Sequence, residues 1–512
     1  MAKTRFASCK CISLIGMQGN LVNIEASIAD GMSRFTIVGL PDTSVNEARD
    51  RVLTAFKTGG VYLSECHITV NLGPASLQKR GSHYDLAIAV AVMGAYGVLD
   101  KTRIGDTLLL GELGLDGRIH PVRGVLPAVN AAFAKSVQNM VVPIANLEEA
   151  KLISGANVLG FGHISEVINH FGGESTLIQY TPVKAQKVAT SPLRSELDMK
   201  DVLGQSEAKY ALEVAAAGFH NIFMQGPPGT GKSMLAARLV SILPRLTLEE
   251  AIEVTSIYSL SGQSPDQGLM FTPPFEAPHH TATAPAIIGG GSGGIHPGAI
   301  SRAHNGVLFL DEAPEFSPRV LQTLRQPLEN GVVNIERSSM KAEFLAHFQL
   351  VLAANPCPCG MYSASHNKCK CTSIMRRRYL GRLSGPLLDR IDIFTNVENV
   401  RSREMSTQLG EDSATIRARV EKARLKARKR WEKTPWKVNS EVPGSYLRKM
   451  CSNKEIMGAI HDSVDRGVLS LRGADRVLRL SWTVADLNGD DELRFEHIEK
   501  ALSLKGGGMI DG

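Results

Sequence analysis

Polar and apolar positions alternate in "HITVNL", and two further β-rich runs read "RFTIVGL" and "TLLLGEL". A period of two marks a half-buried strand. Two longer runs of small apolar residues, "DLAIAVAVMGAYG" and "VLPAVNAAFAK", predict helices. Together these elements predict one α/β domain over residues 1–170. Across 171–200 the periodicity is lost and Ser, Thr, Pro and Lys take over ("STLIQYTPVKAQKVATSPLRSE"), which predicts a linker. A second α/β block follows over 201–398, with apolar runs such as "NIFMQ", "VLFLDE" and "FQLVLAAN" that read as buried strands. Residues 399–512 read as a helix-rich, charged lid ending in a glycine tail.

A chain of 512 residues has room for roughly three domains. Its 43% hydrophobic and 21% charged content is that of soluble globular protein. The net charge of +6 and pI of about 8.8 permit an anionic partner without naming one. Met1–Cys11 lacks the apolar stretch of a signal peptide. The most apolar run, Leu86–Leu99, is too short and too glycine-interrupted to span a bilayer. The expected setting is a reducing cytoplasm with no membrane. There, clustered cysteines point to metal or redox chemistry before disulfides.

"GPPGTGKS" supplies Gly226, Pro227, Pro228, Gly229, Thr230, Gly231, Lys232 and Ser233 between an apolar strand and a helix. That is the context of a P-loop for ATP. Glycines let backbone N–H groups approach phosphate oxygens, and the helix N-terminus adds its positive end. Lys232 is expected on the β/γ-phosphates and Ser233 on Mg²⁺. At the end of "VLFLDE", Asp311 is expected to hold Mg²⁺ through water and Glu312 to polarise the attacking water. Asn355 ends the third apolar strand, where a polar side chain sits beside the γ-phosphate. Arg390, in "SGPLLDRID", suits an arginine finger for a neighbouring subunit; the alternative is that it only pairs with Asp389 or Asp392.

Four cysteines fall within "NPCPCGMYSASHNKCKC": Cys357, Cys359, Cys369 and Cys371. Four thiolates suffice for a closed tetrahedral Zn²⁺ site, and the polar stretch between the pairs argues against a buried core. His366 is a spare ligand on this reading.

These residues resemble the ComM/YifB family of magnesium-chelatase-like AAA+ ATPases. The resemblance covers nearly the whole chain and rests on "FTIVGLPD", "ITVNLGPA", "GQSEAKYALEVAAAG", "GPPGTGKS", "APHHTAT", "HPGAISRAHNGVLFLDEAPEF", "ANPCPCG" and "SGPLLDRID". It implies an AAA+ core with a parallel sheet, hexameric rings, and ATP-driven branch migration on DNA in homologous recombination and natural transformation. It favours Arg390 as a finger in trans. It also implies a sensor arginine at the start of a lid helix, best matched by Arg472 with Arg476 the alternative. "SWT" stands where the family pattern leads one to expect "ART", so Trp482 replaces an arginine.

The first domain resembles the Lon protease fold through "GELGLDGRIHPVRGVLPAV" and "GSHYDLAIAVAV". Lon-type proteolysis needs a Ser–Lys dyad. Leu126 stands at the lysine position and Ser82 has no such base, so the domain is expected to be inactive as a protease. It is expected to brace the ring or contact DNA, as the similar domain of the RadA recombination ATPase is thought to do.

The basic segments "TIRARVEKARLKARKRWEK" and "RRRY" read either as solvated faces or as tracks for phosphates. The insert Phe271–Gly294 reads as a mobile pore loop, with the hairpin "GVVNIERSSMKAEF" a second pore candidate. "DLNGDDELRFE" reads as a turn, since its ligand order does not suit calcium. The expected activity is an ATP-driven DNA motor. Its rivals are a chelatase-type motor that does not act on DNA and an ATP-dependent protease.

Overall fold

The β-rich runs become strands of a seven-stranded sheet in a computed structural model of the chain. The structure describes residues 5–63, 65–183, 197–263, 268–291, 295–337, 340–362, 369–383, 385–398, 410–451 and 453–505. Backbone contacts divide the chain into two units. One comprises 1–190, 255–270 and 336–344; the other comprises 191–254, 271–335 and 345–512.

In the first unit the strands are β1 (Arg5–Ile15), β2 (Gln18–Asp30), β3 (Arg34–Val38), β4 (Cys66–Gly73), β5 (Thr107–Leu109), β6 (Asn139–Pro143) and β7 (Asn157–Phe161). Their order is β3-β4-β2-β1-β5-β6-β7. β1, β2 and β4 pair antiparallel and the others parallel. "HITVNL" lies in β4, where buried and half-buried positions alternate without a break. The two long strands β1 and β2 escaped the sequence pattern. β1 alternates only in part, with Cys9, Cys11 and Ile12 all buried.

"DLAIAVAVMGAYG" forms helix α1 (Asp85–Tyr96), and every residue from Asp85 to Ala95 is buried. A helix buried all round needs no amphipathic period, and its small side chains let neighbours approach closely. Each Leu, Ile or Val in it contributes roughly 1.5–3 kcal/mol by leaving water. Asp85 at its start accepts two hydrogen bonds from Arg51 and one from the Leu113 N–H. Burial still raises its pKa to about 6, although Arg51 pulls the other way.

Segments 255–270 and 336–344 lie in sequence within the second α/β block but belong to this first unit. The Gly124 N–H donates to the Ser259 carbonyl at 3.3 Å, and the Met17 N–H to the Glu343 carbonyl at 3.3 Å. The hairpin expected as a pore element therefore contributes Glu343 to the first unit.

Residues 171–183 contain no helix or strand, but Tyr180 donates to Glu166 at 3.0 Å. The rest of the expected linker up to Glu196 lies outside the described residues.

The second unit holds a five-stranded parallel sheet. Its strands are β8 (Ile222–Gln225), β9 (Phe275–Glu276), β10 (Val307–Leu310), β11 (Gln349–Ala354) and β12 (Ile393–Asn396), in the order β9-β10-β11-β8-β12. β9 comes out of the segment expected to be a loose pore loop. It pairs with β10, and Phe275 meets Phe309 with ring centroids 5.9 Å apart. Residues 292–294 of that segment lie outside the described residues.

Helices α2 (Ser206–Gly218), α3 (Lys232–Ile242), α4 (Ser413–Trp431) and α5 (Leu471–Asn488) share one apolar cluster with the sheet. Leu212, Leu239, Phe309, Trp431 and Leu480 all lie in it. Trp482 is a core residue of α5, 5% exposed, with the Arg430 guanidinium 4.2 Å above its ring. Asp486 belongs to α5 as well and binds Arg430 and Asn439. The turn expected from Asp486 onwards is thus confined to the residues after α5.

Candidate functional site

β8 passes straight into the phosphate loop, and α3 begins at Lys232. β8 lies between β11 and β12, so the loop sits where the strand order reverses, at the carboxyl edge. Open α/β sheets bind ligands at such a switch point. Gly226 is required there, because a Cβ would collide with the Val397 carbonyl oxygen.

Three other groups reach the same edge, because β8, β10 and β11 run parallel. Lys232 Nζ donates to the carbonyls of Gly226 (2.7 Å) and Pro227 (2.8 Å) and to Asn355 Oδ1 (3.2 Å). Burial lowers its pKa, while Asp311 and Glu312 act in the opposite sense. Ser233 Oγ donates to Asp311 Oδ2 at 2.6 Å, so the two oxygens expected on Mg²⁺ already face each other. The Glu312 N–H donates to Asp311 Oδ1 at 2.9 Å. Glu312 itself is left-handed, with φ 50°, a costly conformation for a residue with a side chain.

Two neighbours of this site were not foreseen. His280 Nδ1 stands 3.6 Å from Glu312 Oε2, although "APHHTAT" falls in the segment that the sequence marks as a pore loop. Gln205 Nε2 reaches the Thr230 carbonyl at 3.5 Å. A resemblance marks both segments, but nothing local aims either side chain at the loop.

Arg390, Arg472 and Arg476 form a separate group. Asp389 accepts from Arg472 at 3.2 Å and from Arg476 at 3.2 Å, and Arg476 also donates to the Ile391 carbonyl at 3.1 Å. Arg390 donates to the Pro386 carbonyl at 2.6 Å and pairs with Glu329. Its pKa is lowered by burial, then by the charges of Arg472 and Arg325. Ile391 precedes β12, and β12 runs parallel to β8, so this cluster lies at the amino edge of the sheet. A four-residue strand spans on the order of 13 Å, which separates the arginines from Lys232. Arg472, expected at the nucleotide, therefore stands with Arg390 and away from the loop of its own chain. The three line an open cavity of about 830 Å³ together with Glu329 and Asp389.

Cys357, Cys359, Cys369 and Cys371 come together, with all four sulfurs within 4.8 Å of one another. The separations are 3.4 Å for Cys357–Cys359 and 3.6 Å for both Cys357–Cys369 and Cys359–Cys369. Those values exclude disulfides, whose sulfurs lie about 2.05 Å apart. They fit a tetrahedron of thiolates, whose edge is about 3.8 Å when each Zn–S bond is about 2.3 Å. His366 lies outside the described residues.

Four of the five arginines in α4 are bonded to the rest of the unit. Arg417 donates to the Ser241 carbonyl, Arg424 to the Ala216 carbonyl, Arg419 to Glu213 and Arg430 to Asp486. Lys422, Arg428, Lys429 and Lys433 remain exposed.

In the first unit, Ser82 Oγ donates to the Glu112 carboxylate, and Leu126 is fully buried. A carboxylate at hydrogen-bond distance holds the hydroxyl without supplying the lysine base of a dyad.

The parallel sheet, the phosphate loop at its switch point and the acidic pair define a core of the AAA+ type. Family models described as "Magnesium chelatase, subunit ChlI", "Subunit ChlI of Mg-chelatase" and "Magnesium chelatase, subunit ChlI C-terminal" match residues 198–405, 24–146 and 410–505. An uncharacterized protein of Mycobacterium tuberculosis is 44% identical over 498 residues, 96% of this chain and 97% of its own. The competence protein ComM of Haemophilus influenzae is 39% identical over 494 residues, 96% of each chain. YifB of Escherichia coli is 38% identical over 495 residues, 96% of this chain and 95% of its own. The chain belongs to the ComM/YifB family of magnesium-chelatase-like AAA+ proteins. Likeness to Lon protease is partial: Lon protease 2 of Bacillus subtilis is 24% identical over 169 residues, 30% of either chain. Among the described residues, no helix is long and apolar enough to cross a membrane.

Proposed function

We propose that this protein is an ATP-driven motor that migrates branched DNA, acting in the cytoplasm in homologous recombination and natural transformation. The observation that carries the reading is the separation of two half-sites on opposite edges of one sheet. Lys232, Ser233, Asp311, Glu312 and Asn355 share the carboxyl edge, and Arg390, Arg472 and Arg476 the amino edge. A chain that carries both halves apart completes its site by pairing with copies of itself, and a closed hexameric ring lets every copy do so.

Bound ATP and Mg²⁺ would supply the hydrolysable phosphoanhydride and the charge that stabilises its cleavage. Lys232 binds the β/γ-phosphates, Ser233 and Asp311 hold the cation, Glu312 orients the attacking water and Asn355 fixes Lys232. Arg390, with Arg472 and Arg476 beside it, serves the neighbour's nucleotide. Residues 1–170 form a Lon-like domain without protease activity, to which 255–270 and 336–344 add; 171–200 is a linker, the rest of 201–398 the ATPase core and 399–512 the helical lid. The four cysteines hold one structural Zn²⁺.

The DNA part of the reading is supported by the relative named a competence protein. Exposed Lys422, Arg428, Lys429 and Lys433 offer phosphate contacts without base readout, so binding should ignore sequence and fall steeply with salt. The chelatase names of the family models favour the second reading, a motor that does not act on DNA. One experiment separates them. A labelled four-way junction is incubated with the protein, ATP and Mg²⁺, beside an ATPase assay with single-stranded, duplex and branched DNA. Exchanged duplexes without new strand ends, abolished by Lys232→Ala or Glu312→Gln, are expected. ATP hydrolysis with no binding or movement of branched DNA at low salt would overturn the DNA reading.

A further inference from the structure

The cysteine cluster and the phosphate loop meet at one residue. The chain leaves β11 at Ala354, and Asn355, Pro356 and Cys357 follow directly. Cys357 is fully buried, and its carbonyl accepts from the Gly360 N–H at 2.9 Å. That closes a tight turn carrying both Cys357 and Cys359. Gly360 has φ 74°, and a Cβ there would stand 2.7 Å from Pro228 Cδ and 3.0 Å from Pro228 Cγ. Pro228 is the third residue of "GPPGTGKS". The turn that presents half of the sulfurs therefore lies against the wall of the phosphate loop, with only a glycine's width between them.

The other half of the cluster is tied down separately. Cys369 and Cys371 lead into the helix Ser373–Leu380, whose N-cap Thr372 accepts from the Met375 N–H at 3.2 Å. Arg376 of that helix stacks 4.0 Å over the Tyr362 ring, just past the first pair. One ion drawing all four sulfurs together would fix the Cys357–Gly360 turn from both sides. Without it, the turn is held by hydrogen bonds and packing alone, among them the Gly360 N–H to the Cys357 carbonyl and backbone hydrogen bonds to the Cys357 and Cys359 thiols.

We infer that the metal held by the four cysteines sets the nucleotide affinity of the phosphate loop, transmitted by the contact of Gly360 with Pro228. This rests on the metal reading above and assigns the cluster a role beyond local stability: loading with metal licenses ATP binding.

The test uses the full-length chain. Metal content is measured by elemental analysis and nucleotide affinity by titration with a fluorescent ATP analogue, with Lys232→Ala as the non-binding control. Stripping the metal with a zinc chelator under reducing conditions should weaken nucleotide binding at least about tenfold, equal to about 1.4 kcal/mol. Re-adding Zn²⁺ should restore it. Gly360→Ala should keep its metal and its circular dichroism yet bind the analogue at least about tenfold more weakly. If the protein carries one metal per chain and both treatments leave affinity within about twofold, the coupling is overturned while the metal site stands. If the purified protein carries no metal and takes none up, the metal reading and this inference fall together.

Discussion

Lys232 and Asn355 are joined by a hydrogen bond of 3.2 Å that links the phosphate loop to the strand beside it. Asn355 thereby fixes the position of the ammonium that two loop carbonyls also hold. Truncation to Asn355→Ala removes that constraint and, on the proposed function, an amide beside the reacting phosphate. Turnover should fall by about 10²–10³, as for loss of one preorganised polar group at a reacting centre. Nucleotide affinity should change far less than in Lys232→Ala. Steady-state hydrolysis and equilibrium binding measured side by side check this; an unchanged turnover number would remove Asn355 from the site.

Asp389 accepts from both Arg472 and Arg476, at the sheet edge opposite Lys232. If the arginines serve a neighbouring subunit, two inactive variants should complement each other. Chains carrying Arg390→Ala or Arg476→Ala, mixed with Lys232→Ala chains, should regain hydrolysis, because some interfaces then pair an intact loop with intact arginines. A finger is worth about 10³–10⁵ in rate, so even sparse recovery is measurable. No recovery in rings shown to be mixed would mean that the arginines act within their own chain or not at all.

Acid should loosen the first unit through His83. Burial pushes its pKa down to about 4, and Nε2 lies 3.0 Å from the Ile12 carbonyl as the neutral ring's donor. The Asp42 carboxylate acts in the opposite sense. The unfolded chain takes up the proton near pH 6.5, so it binds more protons than the folded chain between about pH 6.5 and 4. Stability is therefore fully present above that window and lost as pH falls through it. The loss should be on the order of 2 kcal/mol, discounted for the ring's partial exposure. Asp85, in the same unit, gains stability from its raised pKa over the same fall in pH, so hydrogen exchange of the β1 amides at pH 7 and 4.5 should show in the native chain what remains of that loss. His83→Gln keeps a donor without titrating, and should show a smaller one. Equal losses in both chains would acquit His83.

The family and fold class were legible because their signals are local. "GPPGTGKS" encodes a loop of backbone N–H groups and a helix start within eight residues. "HITVNL" encodes one buried face of β4 by its period alone. The cysteine pairs carried their meaning in type and spacing, and the sulfurs do converge. By contrast, β1 was missed because half of its residues lack a clean period, and β9 because two residues paired at a sheet edge leave no pattern.

What the sequence determined by itself is thus everything written within one turn or one strand: the phosphate loop, the acidic pair, the strand end at Asn355 and the four thiols. Tertiary structure alone decided which side chains share an edge. It set Arg472 and Arg476 beside Arg390, brought His280 to Glu312 and laid Gly360 against Pro228. It also turned the arginines of a helix that read as a phosphate track onto Ser241, Ala216, Glu213 and Asp486. The physical reason is separation along the chain. A backbone motif is fixed by neighbours a few bonds away, whereas a side chain's partner depends on strand order and on where distant helices pack.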